Sequence, residues 1–132
     1  FSIYDGVCTI NFAYVEKDII HYSDLIKVSV ALDDGEVLSV DARGYLTNHT
    51  KRDIYQKKLS KAQAQAILSD SLTVLAVDSA VIPTDTGKEA YCYEFHCKAS
   101  DGQEVLVYID AATGEQRDLL ILLYSDSGIL TK

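Results

Sequence analysis

Methionine is absent from this 132-residue chain, which opens on Phe1 with no charged-then-apolar leader and so reads as a piece of something longer. Cysteine is scarce. Cys8, Cys92 and Cys97 are odd in number and unevenly spaced, which argues against the disulfide framework of small secreted domains and leaves core packing as their expected role. No stretch approaches the ~20 consecutive apolar residues that carry a helix across a bilayer, and Leu119 to Tyr124 is far too short, so no membrane contact is expected of this chain. Basic groups are the other shortage. Twelve Lys and Arg against twenty Asp and Glu give a formal charge of -8, which repels a nucleic-acid backbone and an anionic lipid surface alike.

The constellations that carry chemistry are missing too. His21, His49 and His96 are scattered, with no Cys-x-x-Cys pair and no His-x-x-x-His helix to preset a metal site. No Gly-rich strand-to-helix loop offers a nucleotide cradle, so no cofactor is expected. Cys92 and His96 share a strand face but stand roughly 13 Å apart along it. A thiol nucleophile needs a base within hydrogen-bond reach and an oxyanion hole, so a thiol-dependent hydrolase is the weak alternative and no catalytic residue is expected. The carboxylates of Asp33, Asp34, Glu36, Asp101 and Glu104 gather at hairpin turns, where they bond their own backbone more readily than calcium.

What the chain does have is alternation. Its 48% apolar content is that of a folded domain, and the apolar residues fall at strand spacing. Cys8, Ile10, Phe12 and Tyr14 mark a strand that ends at the turn Glu16-Lys17-Asp18, with a further strand expected from Ile19. Ile26, Val28, Val30 and Leu32 alternate with polar neighbours up to Asp34-Gly35, and Leu38, Val40 and Ala42 return, which makes Leu25 to Ala42 a hairpin. A single helix is signalled: Ser60-Lys61-Ala62-Gln63 is a capping box, and the helix is expected from about Lys61 to Asp70. After it come strands over Leu72 to Ile82, Tyr91 to Lys98, Val105 to Asp110 and Leu119 to Tyr124, the last apolar on both faces and so expected to be central.

The two halves share a plan. A hairpin turned at Asp34-Gly35 and closed by Val40-Asp41-Ala42-Arg43-Gly44 recurs as one turned at Asp101-Gly102 and closed by Ile109-Asp110-Ala111-Ala112-Thr113-Gly114, an internal repeat. Only the second copy begins with a helix. The division expected is therefore a partial repeat over 1–58 and a complete one over 59–132, with self-association as one way to cover the first copy's sheet.

The helix at Leu59 to Ala64, the strand Tyr91 to Phe95, the Asp101-Gly102 turn and the closing Ile109-Asp110-Ala111-Ala112-Thr113-Gly114-Glu115 together resemble a PepSY domain. Tyr22-Ser23-Asp24-Leu25-Ile26-Lys27-Val28, Ala31-Leu32-Asp33-Asp34-Gly35-Glu36-Val37 and Asp41-Ala42-Arg43-Gly44-Tyr45-Leu46-Thr47-Asn48-His49 resemble the YpeB family of spore germination proteins. The resemblance implies an α+β fold of tandem PepSY (cystatin-like) repeats, antiparallel sheets with one packed helix in the second repeat. It also implies a non-catalytic interaction module, extracytoplasmic near the spore inner membrane and cortex, anchored through another part of the protein, which holds and restrains a cortex-lytic enzyme of the SleB kind. A peptidoglycan-binding structural module is the alternative. From the residues themselves, Tyr45, His49 and Arg52 are the candidate partner contacts, because an aromatic, a histidine and basic groups gather there in an otherwise acidic chain; a polar inter-repeat linker is the plainer reading.

Overall fold

The structure, a computed structural model, describes residues 1–131. Among them are nine strands and two short helices: β1 (Ser2–Tyr4), β2 (Val7–Glu16), β3 (Ile19–Ala31), β4 (Val37–Asp41), α1 (Arg43–Asn48), α2 (Lys61–Gln65), β5 (Thr73–Pro83), β6 (Glu89–Lys98), β7 (Glu104–Asp110), β8 (Gln116–Ser125) and β9 (Gly128–Thr131). The fold is thus mostly β. Every strand joins one hydrogen-bonded network in the order β2-β1-β9-β8-β7-β6-β5-β3-β4, and a further pairing joins β2, at one end of that path, to β3, the strand next to the other end. In place of two separate antiparallel sheets there is one, and its halves meet through a short parallel pairing in which Ile19, Ile20 and His21 of β3 lie opposite Ser79, Ala80 and Val81 of β5.

The centre is β6. Tyr91, Tyr93, Phe95 and Cys97 face a core with Val105, Val107, Ile109 and Ala64, while Ala90 and Cys92 face a second core with Ala80, Ile82 and Tyr108. Period-two alternation puts an apolar side chain on each face, and the chain supplies a cover for each. One cover comes from Ile54, Leu68 and Leu72 around α2, the other from Ile20 and Tyr22 of β3 together with Leu106 and Leu120. β8, expected to be central, is largely exposed instead, with Leu119 and Leu123 each more than two-fifths open. An apolar pattern on both faces shows what a strand is able to bury, but whether it does so depends on a second layer, and on β8 it is Ile121 that reaches the core which Ala64 of α2 and Ile54 help close.

α2 begins as its capping box requires: the Ser60 hydroxyl accepts from the Gln63 N–H at 3.2 Å and the Gln63 side chain accepts from the Ser60 N–H at 2.8 Å. It ends sooner than expected. Beyond Gln65 the backbone tightens into i to i+3 turns, and the Ser69 hydroxyl takes the Ser71 N–H at 3.3 Å, a side-chain bond that competes with helical pairing. α1 carries no side-chain cap and was not expected. It lies against β3 because Gly44 lets it: a Cβ there would meet the Leu25 carbonyl oxygen at 3.1 Å.

Candidate functional site

The register of β2 on β3 breaks once. Tyr14 lies opposite His21 and Ala13 opposite Leu25, so Tyr22, Ser23 and Asp24 swing out of the ladder where β3 leaves β5 and runs on toward β4. That excursion delivers Asp24 to the segment between the helices. There Arg52, its side chain 4% exposed, places Nη2 at 2.6 Å and Nη1 at 2.9 Å from the two Asp24 oxygens and its Nε at 2.8 Å from Glu89 of β6. His49 Nδ1 lies 2.8 Å from the same Asp24 carboxylate. One arginine therefore clamps a carboxylate from each half of the molecule. Burial alone would raise the Asp24 carboxyl, but the hydrogen bonds and charges of Arg52 and His49 outweigh it and hold the group below its ordinary value. Hydrogen bonds to Asp24 and Glu89 in turn push the guanidinium upward.

Aromatic rings pack around the clamp. Tyr45 stacks on His49 with centroids 4.4 Å apart, and Tyr14 meets His49 edge-on at 4.7 Å. His21, buried on β3, holds the Tyr55 hydroxyl at 2.8 Å through Nε2. Between the end of β2 and the 49–55 segment, Tyr14, His49 and Tyr55 bound a cleft of about 620 Å³, with Glu16, Lys17 and Lys51 among its lining residues.

Of the residues expected to contact a partner, His49 lines this cleft with Tyr45 stacked on it, while Arg52, also at the cleft, turns its guanidinium inward onto Asp24 and Glu89. Asp24, Glu89, Tyr14 and Tyr55 were missed as parts of the site. The only signal for the first was a polar pair, His21 and Asp24, inside an otherwise strand-like run, and Glu89 gave none, since a carboxylate beside a turn reads as solvated.

A second tie joins the halves on the opposite core. Glu94 accepts the Tyr22 hydroxyl at 2.5 Å and the Tyr108 hydroxyl at 2.6 Å, and burial followed by those bonds raises both phenols. Cys92 lies in the same layer. Burial pushes its thiol up to about 12, with Asp110 adding to the shift, which is the reverse of what an activated nucleophile requires.

The Asp110 turn fixes the rest of the frame. Its carboxylate accepts the N–H groups of Ala112 and Thr113 and the Nε of Arg117, and the Ala111 carbonyl takes the N–H groups of Lys58 and Leu59 at the entrance to α2. Gly114, at φ +78°, closes against Ile67, whose Cδ1 a Cβ would approach to 3.0 Å.

Residues 58–120 match the family described as "Peptidase propeptide and YPEB domain", and residues 1–55 match "YpeB sporulation, PepSY1 and PepSY2 domains". The fold and these matches define a PepSY-domain protein. More narrowly, the chain belongs with the YpeB sporulation proteins, as its matches across most of its length show. It is 37% identical over 113 residues to the sporulation protein YpeB of Halalkalibacterium halodurans and 33% identical over 113 residues to that of Bacillus subtilis, each alignment covering 86% of this chain and 25% of the relative. The C-terminal domain of Bacillus megaterium YpeB superposes with a TM-score of 0.83 at 29% identity, covering 93% of this chain and 54% of that one. The chain thus spans about a quarter of the length of the curated relatives it matches.

Proposed function

We propose that the chain is a non-catalytic interaction module of a spore germination protein, two PepSY repeats of which the first is partial, and that it holds and restrains a cortex-lytic enzyme of the SleB kind. It works outside the forespore membrane, near the inner membrane and cortex, with an anchor supplied elsewhere in the full protein. The family match supports the sporulation setting. The observation that carries the binding role is the β4 edge. Among the described residues β4 pairs only with β3, and Val37, Leu38 and Val40 are each more than half exposed along it. Unpaired backbone beside exposed apolar side chains is the surface that strand addition uses, and α1, which follows it, carries Tyr45 stacked on the cleft-lining His49 just past the helix end. A second copy of the chain would compete for the same edge, so self-association belongs to this reading.

The experiment is a titration of the chain against the purified cortex-lytic enzyme, following complex formation and hydrolysis of spore peptidoglycan together. Binding with loss of hydrolysis is the expected result. Binding without loss makes the module a scaffold, and absence of binding rejects the reading. A second reading, a module that binds peptidoglycan directly, is favoured by the cleft between Tyr14 and Tyr55, since tyrosine rings suit sugar faces. It predicts pull-down with purified cortex peptidoglycan when no enzyme is present.

A further inference from the structure

The 620 Å³ cleft has a charge balance unlike the chain around it. Across a molecule of net charge -8, this opening is edged by Lys17 and Lys51 against the single carboxylate of Glu16. Neither ammonium enters an ion pair with the described residues, whereas the Arg52 charge behind them is spent on Asp24 and Glu89. The walls are held in place from behind, Tyr55 by His21 and His49 by Asp24, so ligand binding would not have to order them.

Lys17 occupies a costly position. It and Asp18 form the two-residue turn between β2 and β3, both at positive φ (+52° and +62°), a turn that favours Asn-Gly or Gly-Gly. A long side chain in the left-handed region is uncommon and costs backbone energy that glycine would not. The turn gains nothing from a lysine, whereas a cation at the mouth of a cleft does serve a ligand.

We infer that this cleft receives a carboxylate-bearing side chain or chain terminus of a bound polypeptide, with Lys17 and Lys51 as its counter-ions and Tyr14 and Tyr55 as the walls for its apolar stem. The inference rests on the interaction-module reading and names one contact within it. Two lysine ammonium groups supply charge-assisted hydrogen bonds to a carboxylate, and Tyr14 and Tyr55 line the same cleft beside them.

The test titrates the whole chain with an N-acetylated, glutamate-rich decapeptide, followed by amide NMR shifts, beside a lysine-rich decapeptide of equal length and a soluble muropeptide. Shifts gathered at residues 14–19 and 49–55 with the acidic peptide alone are expected, weakening as salt is raised. Lys17→Gly should stabilise the fold while weakening the peptide, and the double reversal of Lys17→Glu with Lys51→Glu should weaken it by tenfold or more, roughly the effect of losing ~1.4 kcal/mol. A purely structural Lys17 would not separate stability from binding in this way. No shift at millimolar acidic peptide, shifts elsewhere, or affinity indifferent to the double reversal overturns the inference, as does equal or tighter muropeptide binding, which favours the glycan reading. The two proposals fail separately. A chain carrying the double reversal that binds the cortex-lytic enzyme as well as wild type does sinks the cleft and leaves the module; acidic peptide held at the cleft by a chain that ignores the enzyme does the opposite.

Discussion

The turns at Asp41 and Asp110 begin alike and end differently. In each, the aspartate accepts the N–H two residues on and pairs with a following arginine, Arg43 in one and Arg117 in the other. Around Asp110 the chain then folds back into β8 and pins α2, and the carboxylate is nearly buried; around Asp41 it runs into α1, and the pair lies in solvent. The same contrast holds between the halves. Among the described residues the buried apolar side chains all fall between Ala64 and Ala111, while Phe12, Leu32, Val37, Leu38, Val40 and Leu46 of the first half are each more than half open to solvent. One local recipe thus serves two kinds of stability. The second half rests on apolar packing, and the first is held to it by polar ties, Arg52 between Asp24 and Glu89 and Glu94 between two tyrosines.

The comparison can be broken by substitution. Phe95→Ala, which empties a fully buried site, should cost about 4 kcal/mol in chemical denaturation and unfold both halves together. Arg52→Ala should follow at about 3 kcal/mol, because it strands a buried carboxylate, and the double variant with Asp24→Asn should recover part of that loss. Ser60→Ala, which removes half of the capping box, should cost about 1 kcal/mol, and Val40→Thr on the open edge should change stability by no more than about 0.5 kcal/mol. Native-state alkylation sharpens the contrast without mutation: partly exposed Cys8 should react well before buried Cys92 and Cys97.

Acid gives the same test a sign. Asp24 and Asp110 both titrate below the ordinary carboxylate value in the folded chain, so each adds stability above the unfolded value of about 3.9, lost as pH falls through the folded one. Asp24→Asn should flatten part of the acid limb of the stability curve and leave the part owed to Asp110. A curve unchanged by the substitution would show that the clamp contributes nothing through its charge.

Much of this frame was legible in sequence because strands announce themselves by alternation and turns by Asp-Gly. β2, β3, β4 and the Ser60 capping box stand where those patterns put them. Three features were not legible, each for a physical reason. α1 has no cap, and its position depends on Gly44 fitting against Leu25, a tertiary fact. The exposure of β8 depends on how much of it a second layer covers. The clamp depends on a three-residue slip in register that carries Asp24 outward, and no local pattern records a slip. Tyr45 and His49 could be picked out because aromatic and basic residues are conspicuous in an acidic chain, but the same conspicuousness does not reveal that Arg52 faces inward.

The most direct measurement is amide hydrogen exchange, residue by residue, on the wild-type chain and on Arg52→Ala. If polar ties hold the first half to an apolar second half, the variant loses protection across 25–31 and β4 while β6 and β7 keep theirs. Uniform loss along all strands, or unchanged protection in the first half, would contradict the account.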